Sequence, residues 1–170
     1  LSGDGSRHFR AREARAERAV HRLGTVDDAH DQQRKIEDRR DTVQHLLEVY
    51  PDLTPTRVLE LGCGVGVSTV AAASAFPEAE VYGVDVGGAM LRYAHARAEH
   101  LGQRVHFVQG NAERTDFPDG SFDFVYSCAL LHETSKAAAR KIFAECHRLL
   151  RPGGVAIHCE VPLNASPGPW

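Results

Sequence analysis

Three glycines at alternating positions, Gly62, Gly64 and Gly66, follow directly on the apolar run Val58-Leu59-Glu60-Leu61. Glycine has no Cβ, so it tolerates positive φ and lets another surface approach the main chain. A strand that ends in such a turn and passes into a helix, here expected near Val67 or Ser68, aims unsatisfied N–H groups and the positive end of a dipole beyond the loop. The unit is therefore suited to a ligand, the alternative being a tight turn that binds nothing. The dinucleotide fingerprint G-x-G-x-x-G places its last glycine one residue later, where this chain has Val67, so the spacing disfavours a dinucleotide.

A second apolar run, Val81-Tyr82-Gly83-Val84, ends in Asp85, 19 positions after Gly66. That is about the separation between a glycine loop and the acid that accepts hydrogen bonds from ribose hydroxyls in a βαβ unit. Asp85 could instead cap a helix starting near Gly88. With the loop, the binding reading is the stronger of the two.

From residue 57 onward, strand and helix patterns alternate, as in a parallel sheet covered on both faces. Residues 89–101 carry Met90, Leu91, Ala94, Ala98 and Leu101 at helical spacing, closed by Gly102. Strands are expected at 105–109, 122–126 and 155–159. Between the last two, Ile142, Phe143, Cys146, Leu149 and Leu150 mark the apolar face of a helix capped by Thr134 or Ser135. The first fifty residues read as helical: a thin stripe of Phe9, Ala16, Val20 and Leu23 precedes Gly24, and Val43, Leu46, Leu47 and Tyr50 form a second stripe stopped by Pro51.

The series comprising the Glu60-to-Gly66 loop, Asp85, Gly110-Asn111-Ala112-Glu113, Phe117-Pro118-Asp119-Gly120-Ser121-Phe122-Asp123-Phe124-Val125 and Leu149-Leu150-Arg151-Pro152-Gly153-Gly154 resembles the class I S-adenosylmethionine-dependent methyltransferases, especially their small-molecule branch. The resemblance runs from about residue 57 to 160. It implies an α/β, Rossmann-like, doubly wound and mostly parallel sheet over residues 51–170, preceded by an N-terminal helical lid segment over 1–50. The family's full strand order is 3-2-1-4-5-7-6. About five strands are legible here, so strands 6 and 7 are expected to be missing from a C-terminally truncated core, whose last residues are broken by Pro162, Pro167 and Pro169. An uncovered edge strand would favour a homo-oligomer.

The resemblance also implies a cofactor, S-adenosyl-L-methionine, with S-adenosyl-L-homocysteine as product. Glu60 would orient the loop and hold the amino end of the methionine moiety, with main chain at Gly62, Cys63, Gly64 and Gly66 lining its path. Asp85 would take the ribose hydroxyls, Val86 would lie against adenine, and Asn111, with Ala112 beside it, would meet the adenine edge. Asn111 stands where the family usually has Asp, and it keeps an acceptor while adding a donor. Ser127 and Cys128 would face the sulfonium and methyl region. Asn111 reads equally well as a turn residue, and Cys63 and Cys128 as small buried fillers.

Methyl transfer is a displacement in which proximity and orientation supply much of the rate, so few residues need be essential. His132 is a candidate base, with Glu133 orienting or charging it; the alternative is an ordinary polar loop with Glu133 near a helix N-terminus. The segment lacks the acidic cluster of the metal-dependent relatives, so no metal is expected. The acceptor is expected to be a small molecule, methylated on oxygen, nitrogen or carbon. An NAD(P)-dependent oxidoreductase and a non-catalytic cofactor-binding or assembly subunit are the alternatives.

Composition excludes other classes. A formal charge of −3 gives no nucleic-acid signature, since Arg7, Arg10, Arg12, Arg15, Arg18 and Arg22 are balanced by Asp27, Asp28, Asp31 and other acids. No apolar run approaches a membrane span. Four scattered cysteines form no C-x-x-C pair and suit a reducing cytoplasm.

Overall fold

The computed structural model describes residues 43–44 and 47–160. The expected first helix, most of the expected lid segment and the proline-bearing segment after Glu160 lie outside the described residues. The rest forms β1 (Arg57–Leu61), α1 (Val67–Ala75), β2 (Glu80–Asp85), α2 (Gly88–His100), β3 (His106–Gln109), β4 (Phe122–Cys128), a 3-10 turn (Leu131–Glu133), α3 (Lys136–Leu149) and β5 (Leu150–Cys159). Among the described residues every pairing between these strands is parallel, in the order β3-β2-β1-β4-β5, which is the doubly wound, Rossmann-like sheet expected.

Central parallel strands are apolar on both faces because helices cover both, and all seven residues of β4 are buried. On one face Val58, Val81, Phe124 and Tyr126 pack with Ala72 and Ala73 of α1, with Phe76 at its C-terminal cap and with Val43. Residues 43, 44 and 47–49 are helical, so the second expected helix is present where it is described. On the other face Leu59, Leu61, Val84, Phe122 and Val125 pack with Ile142, Cys146 and Leu149 of α3.

Three expectations shift. The buried stripe of α2 is Leu91, Ala94 and Ala98, whereas Leu101 lies at its exposed C-terminal cap. Phe143 is exposed on α3, where its ring edge meets His158. Leu150 opens β5 instead of closing the helix, and the strand starts five residues early. Pairing slips between Phe122↔Leu150 and Phe124↔Val155, and the slip is absorbed at Pro152-Gly153-Gly154, where Gly153 has φ +82°.

Candidate active site

β1 is the point where the sheet reverses its winding: β2 lies on one side and β4 on the other. The loops leaving the C-terminal ends of β1 and β4 therefore diverge, and the crevice between them is where open α/β sheets bind ligands. The loop after β1 has Gly62, Gly64 and Gly66 at φ of +74°, +55° and +72°. Each occupies the left-handed region that a side chain disfavours. The N–H groups of Gly62 and Cys63 both donate to Val84 O, at 2.7 and 3.0 Å. A Cβ on Gly62 would fall 2.6 Å from Leu130 Cδ1, so the segment after β4 lies directly against this loop.

Glu60 is completely buried. Its carboxylate accepts hydrogen bonds from Ser68 and Thr69, in the first turn of α1, and from Tyr126 Oη at 3.1 Å. Burial pushes the Tyr126 phenol well above its ordinary range, and the Glu60 charge pushes it further, so the hydroxyl stays a donor. Glu60 thus fastens the start of α1 beneath the loop. Cys63 is fully enclosed, with a thiol held protonated by burial and by the Glu60 and Asp85 charges.

Asp85 closes the loop from the neighbouring strand. Oδ2 accepts the Gly64 N–H at 2.9 Å and Oδ1 accepts the Gly87 N–H at 2.8 Å. An ionised carboxylate has about four acceptor positions, so about two remain. Gly87, the N-cap of α2, receives no side-chain cap; Asp85 bonds the residue itself rather than the helix's first turn. Val86 is partly exposed beside it, and its carbonyl accepts from Gln109 Nε2 at 3.0 Å. Asn111 does act as a turn residue, its Oδ1 accepting the Glu113 N–H at 2.9 Å. Ala112 is buried in the core on the α3 side of the sheet.

At the tip of β4, strand alternation separates Ser127 from Cys128. The Ser127 hydroxyl meets His158 Nδ1 at 2.8 Å, and that ring reaches Cys146 Sγ on α3 at 3.8 Å. The Ser127 side chain is therefore committed beneath α3. Burial lowers the His158 pKa against the opposing pull of Glu160. Cys128 is buried near Tyr126 on the other face. Ala129 then takes φ +57°, alone among described non-glycine residues, and turns the chain toward Leu130 and the 3-10 turn. His132 sits in that turn with Nδ1 2.7 Å from Glu160 Oε2, while Glu133 Oε1 is 3.7 Å from Nε2. The carboxylate within hydrogen-bond reach of the His132 ring is thus Glu160, while Glu133 stands at ion-pair distance from the ring's other nitrogen, where it could charge the ring but not orient it by a hydrogen bond.

Residues 58–154 match the family model described as a methyltransferase domain. The chain belongs to that family. A trans-aconitate 2-methyltransferase from Deinococcus radiodurans is 36% identical over 135 residues, which cover 79% of this chain and 49% of that protein. A demethylmenaquinone methyltransferase from Thermus thermophilus is 35% identical over 108 residues, 64% of this chain and 48% of that protein. The crystal structure of a protein from Pyrococcus horikoshii OT3 shares the fold with a TM-score of 0.64 at 32% identity, covering 72% of this chain and 56% of that one. The chain spans about half the length of the curated relatives it matches.

Residues that support this methyltransferase domain also include several that sequence reasoning passed over. Asp123 accepts from the Thr56 hydroxyl at 2.7 Å, from the Thr56 N–H and from the Arg57 N–H at 2.9 Å, and pairs with Arg151 at 2.8 Å, tying the start of β1 to β4 and β5. Glu145, buried on α3, accepts from Thr115 N and Oγ1 and from Arg148, which also binds Asp119. Burial opposes ionisation of both acids, and their hydrogen bonds outweigh it, so both pKa values are lowered. Tyr126 could be placed only once β1 and β4 were known to be neighbours. For Glu160 one signal was available: an acid directly after the fifth strand, at the same sheet edge as Asp85. Among the described residues no helix is long and apolar enough to cross a membrane, and no His/Cys/Asp/Glu group could hold a metal ion.

Proposed function

We propose that this domain binds S-adenosyl-L-methionine and transfers its methyl group to a small-molecule acceptor. The observation that carries the reading is the loop of three left-handed glycines stitched to Asp85 at the reversal point of the sheet. The residues fit such a ligand. Main chain at Gly62, Cys63, Gly64 and Gly66 offers a side-chain-free wall to the methionine end, on a loop that Glu60 orients from below. Asp85 has acceptor positions for two vicinal hydroxyls, Val86 offers an apolar edge to adenine, and Asn111 and Ala112 with main chain at Ser127 and Cys128 complete the rim.

A dinucleotide fits less well: the position of its third glycine is Val67, the first residue of α1 and buried in the protein. When bound, the cofactor supplies a methyl on a sulfonium, whose departure leaves a neutral thioether. The protein's tasks are to hold an acceptor in line and to exclude water. Residues 1–50 serve as the lid in this reading. The four cysteines, free in this fold, suit a cytoplasmic setting. A small acceptor agrees with the trans-aconitate and demethylmenaquinone named for the relatives.

The test is transfer of tritium from methyl-labelled S-adenosylmethionine, by the full-length protein, into the small-molecule fraction of a cell extract. Labelled small molecules are expected. Tight cofactor binding with label confined to the donor would leave a non-catalytic subunit as the better reading.

A further inference from the structure

The 3-10 turn after β4 holds a His–carboxylate dyad that lies partly outside the matched methyltransferase domain, since Glu160 stands beyond residue 154. Glu160 makes three contacts with one short segment. Oε1 accepts the Leu131 N–H at 2.7 Å, and Oε2 accepts the His132 N–H at 3.3 Å and meets His132 Nδ1 at 2.7 Å. The first two fix the backbone of the turn and the third fixes the ring. Burial opposes ionisation of Glu160, but the His132 ring and the two N–H groups outweigh it and keep the carboxylate charged.

An ionised carboxylate is acceptor-only, so the nitrogen 2.7 Å away must carry the hydrogen. In a neutral imidazole the proton then sits on Nδ1 and the lone pair on Nε2. Glu133 Oε1 lies 3.7 Å from Nε2, a separation that makes an ion pair only when the ring is protonated, so in the neutral ring the 2.7 Å contact with Glu160 sets the tautomer. Both dyad side chains keep some solvent access, at 31% and 27% exposure. The dyad thus sits at the mouth of the crevice, on the segment whose Leu130 abuts Gly62.

We propose that Glu160 is the positioning residue that locks His132 as a proton acceptor at Nε2, facing an acceptor molecule that must lose a proton as it is methylated. This rests on the methyl-transfer reading above. The balance closes simply: a lone pair on X forms the X–C bond while the donor's S–C bond breaks and leaves its pair on sulfur, the X–H bond breaks with its pair remaining on X, and the proton moves to Nε2 and on to solvent. Alcohols, phenols and protonated amines need such a base. A carboxylate acceptor, already ionised, does not.

The test is nitrogen-15 NMR of the His132 ring in the same protein, with and without Glu160→Ala, at a pH where the ring is neutral. S-adenosylhomocysteine titration of both proteins runs alongside. In the unsubstituted protein Nδ1 should carry the proton, and Glu160→Ala should lower the ratio of Nδ1–H to Nε2–H forms about tenfold, as expected for losing a hydrogen bond to a charged acceptor. Glu160→Gln, which keeps the side chain's length and one acceptor oxygen, should give an intermediate ratio and covers the case in which Glu160→Ala disorders the turn. S-adenosylhomocysteine affinity should stay within about twofold throughout, because the dyad does not hold the cofactor.

A proton on Nε2 in the unsubstituted protein, or a ratio unchanged in both variants, would overturn the proposal. So would a tritium assay in which the full-length protein esterified trans-aconitate while leaving naphthohydroquinone unlabelled. Failure of the unsubstituted protein to bind S-adenosylhomocysteine, with the tautomer as expected, would instead refute the cofactor reading and leave the dyad standing.

Discussion

Gly66 and Gly102 provide a matched pair that isolates what the glycine loop requires. Both are left-handed, at φ +72° and +66°, yet a Cβ on Gly102 meets nothing within 4 Å, whereas one on Gly66 would lie 2.8 Å from Phe107 Cζ and 3.0 Å from Ala94 Cβ. Alanine in the left-handed region costs about 1–2 kcal/mol, partly offset by ~0.4–1 kcal/mol from a stiffer unfolded chain. Gly102→Ala should therefore destabilise by about 1 kcal/mol. Gly66→Ala carries the same cost plus ~1–3 kcal/mol of overpacking, because the Ala94 methyl cannot rotate away. The sum is about 2–4 kcal/mol. In urea, with a slope near ~2 kcal/mol per molar, midpoints should fall by about 0.5 M and about 1–2 M respectively. Equal losses for the two variants would refute the claim that α2 and β3 close against the loop and that glycine is needed there for contact as well as for φ.

Two further outcomes follow from the same geometry. Asp85→Asn retains one of the two backbone contacts and loses the charge, so S-adenosylhomocysteine should bind about tenfold more weakly by calorimetry; an unchanged Kd would remove Asp85 from the ribose site. Stability should fall in two stages as pH is lowered. His158, kept below its usual 6.5 by burial, is protonated more readily in the unfolded chain, so stability is lost as pH falls below that value. Asp123 and Glu145, held below their usual 3.8 and 4.5, contribute stability above those values that is lost as pH falls through their folded pKa values. A urea midpoint flat from pH 7 to pH 3 would contradict both.

What the sequence made legible was local. Strand-loop-helix periodicity placed β1, α1 and β2 within a residue or two, and the glycines announced their left-handed backbone because no other residue adopts it cheaply. What it hid was pairing across the sheet. Glu60 reads as a ligand-facing acid until β4 is set beside β1 and Tyr126 closes over it, together with Ser68 and Thr69 from α1. Ser127 and Cys128 look like one patch until the pleat sends the serine to His158, a residue 31 positions away. Glu133 lies next to His132 in sequence, whereas Glu160 lies next to it in space because β5 pairs with β4 from Phe124↔Val155 to Cys128↔Cys159. The early start of β5 escaped for a related reason: Pro152-Gly153-Gly154 reads as a turn, and only the register slip against β4 makes it part of a strand.

The most direct test of the whole account is calorimetric titration of the protein with S-adenosylhomocysteine and, separately, with NADH. The glycine loop and Asp85 predict one site per chain for the thioether, weakened by Asp85→Asn, and no measurable heat from the dinucleotide. Saturable binding of NADH with no response to S-adenosylhomocysteine would contradict it.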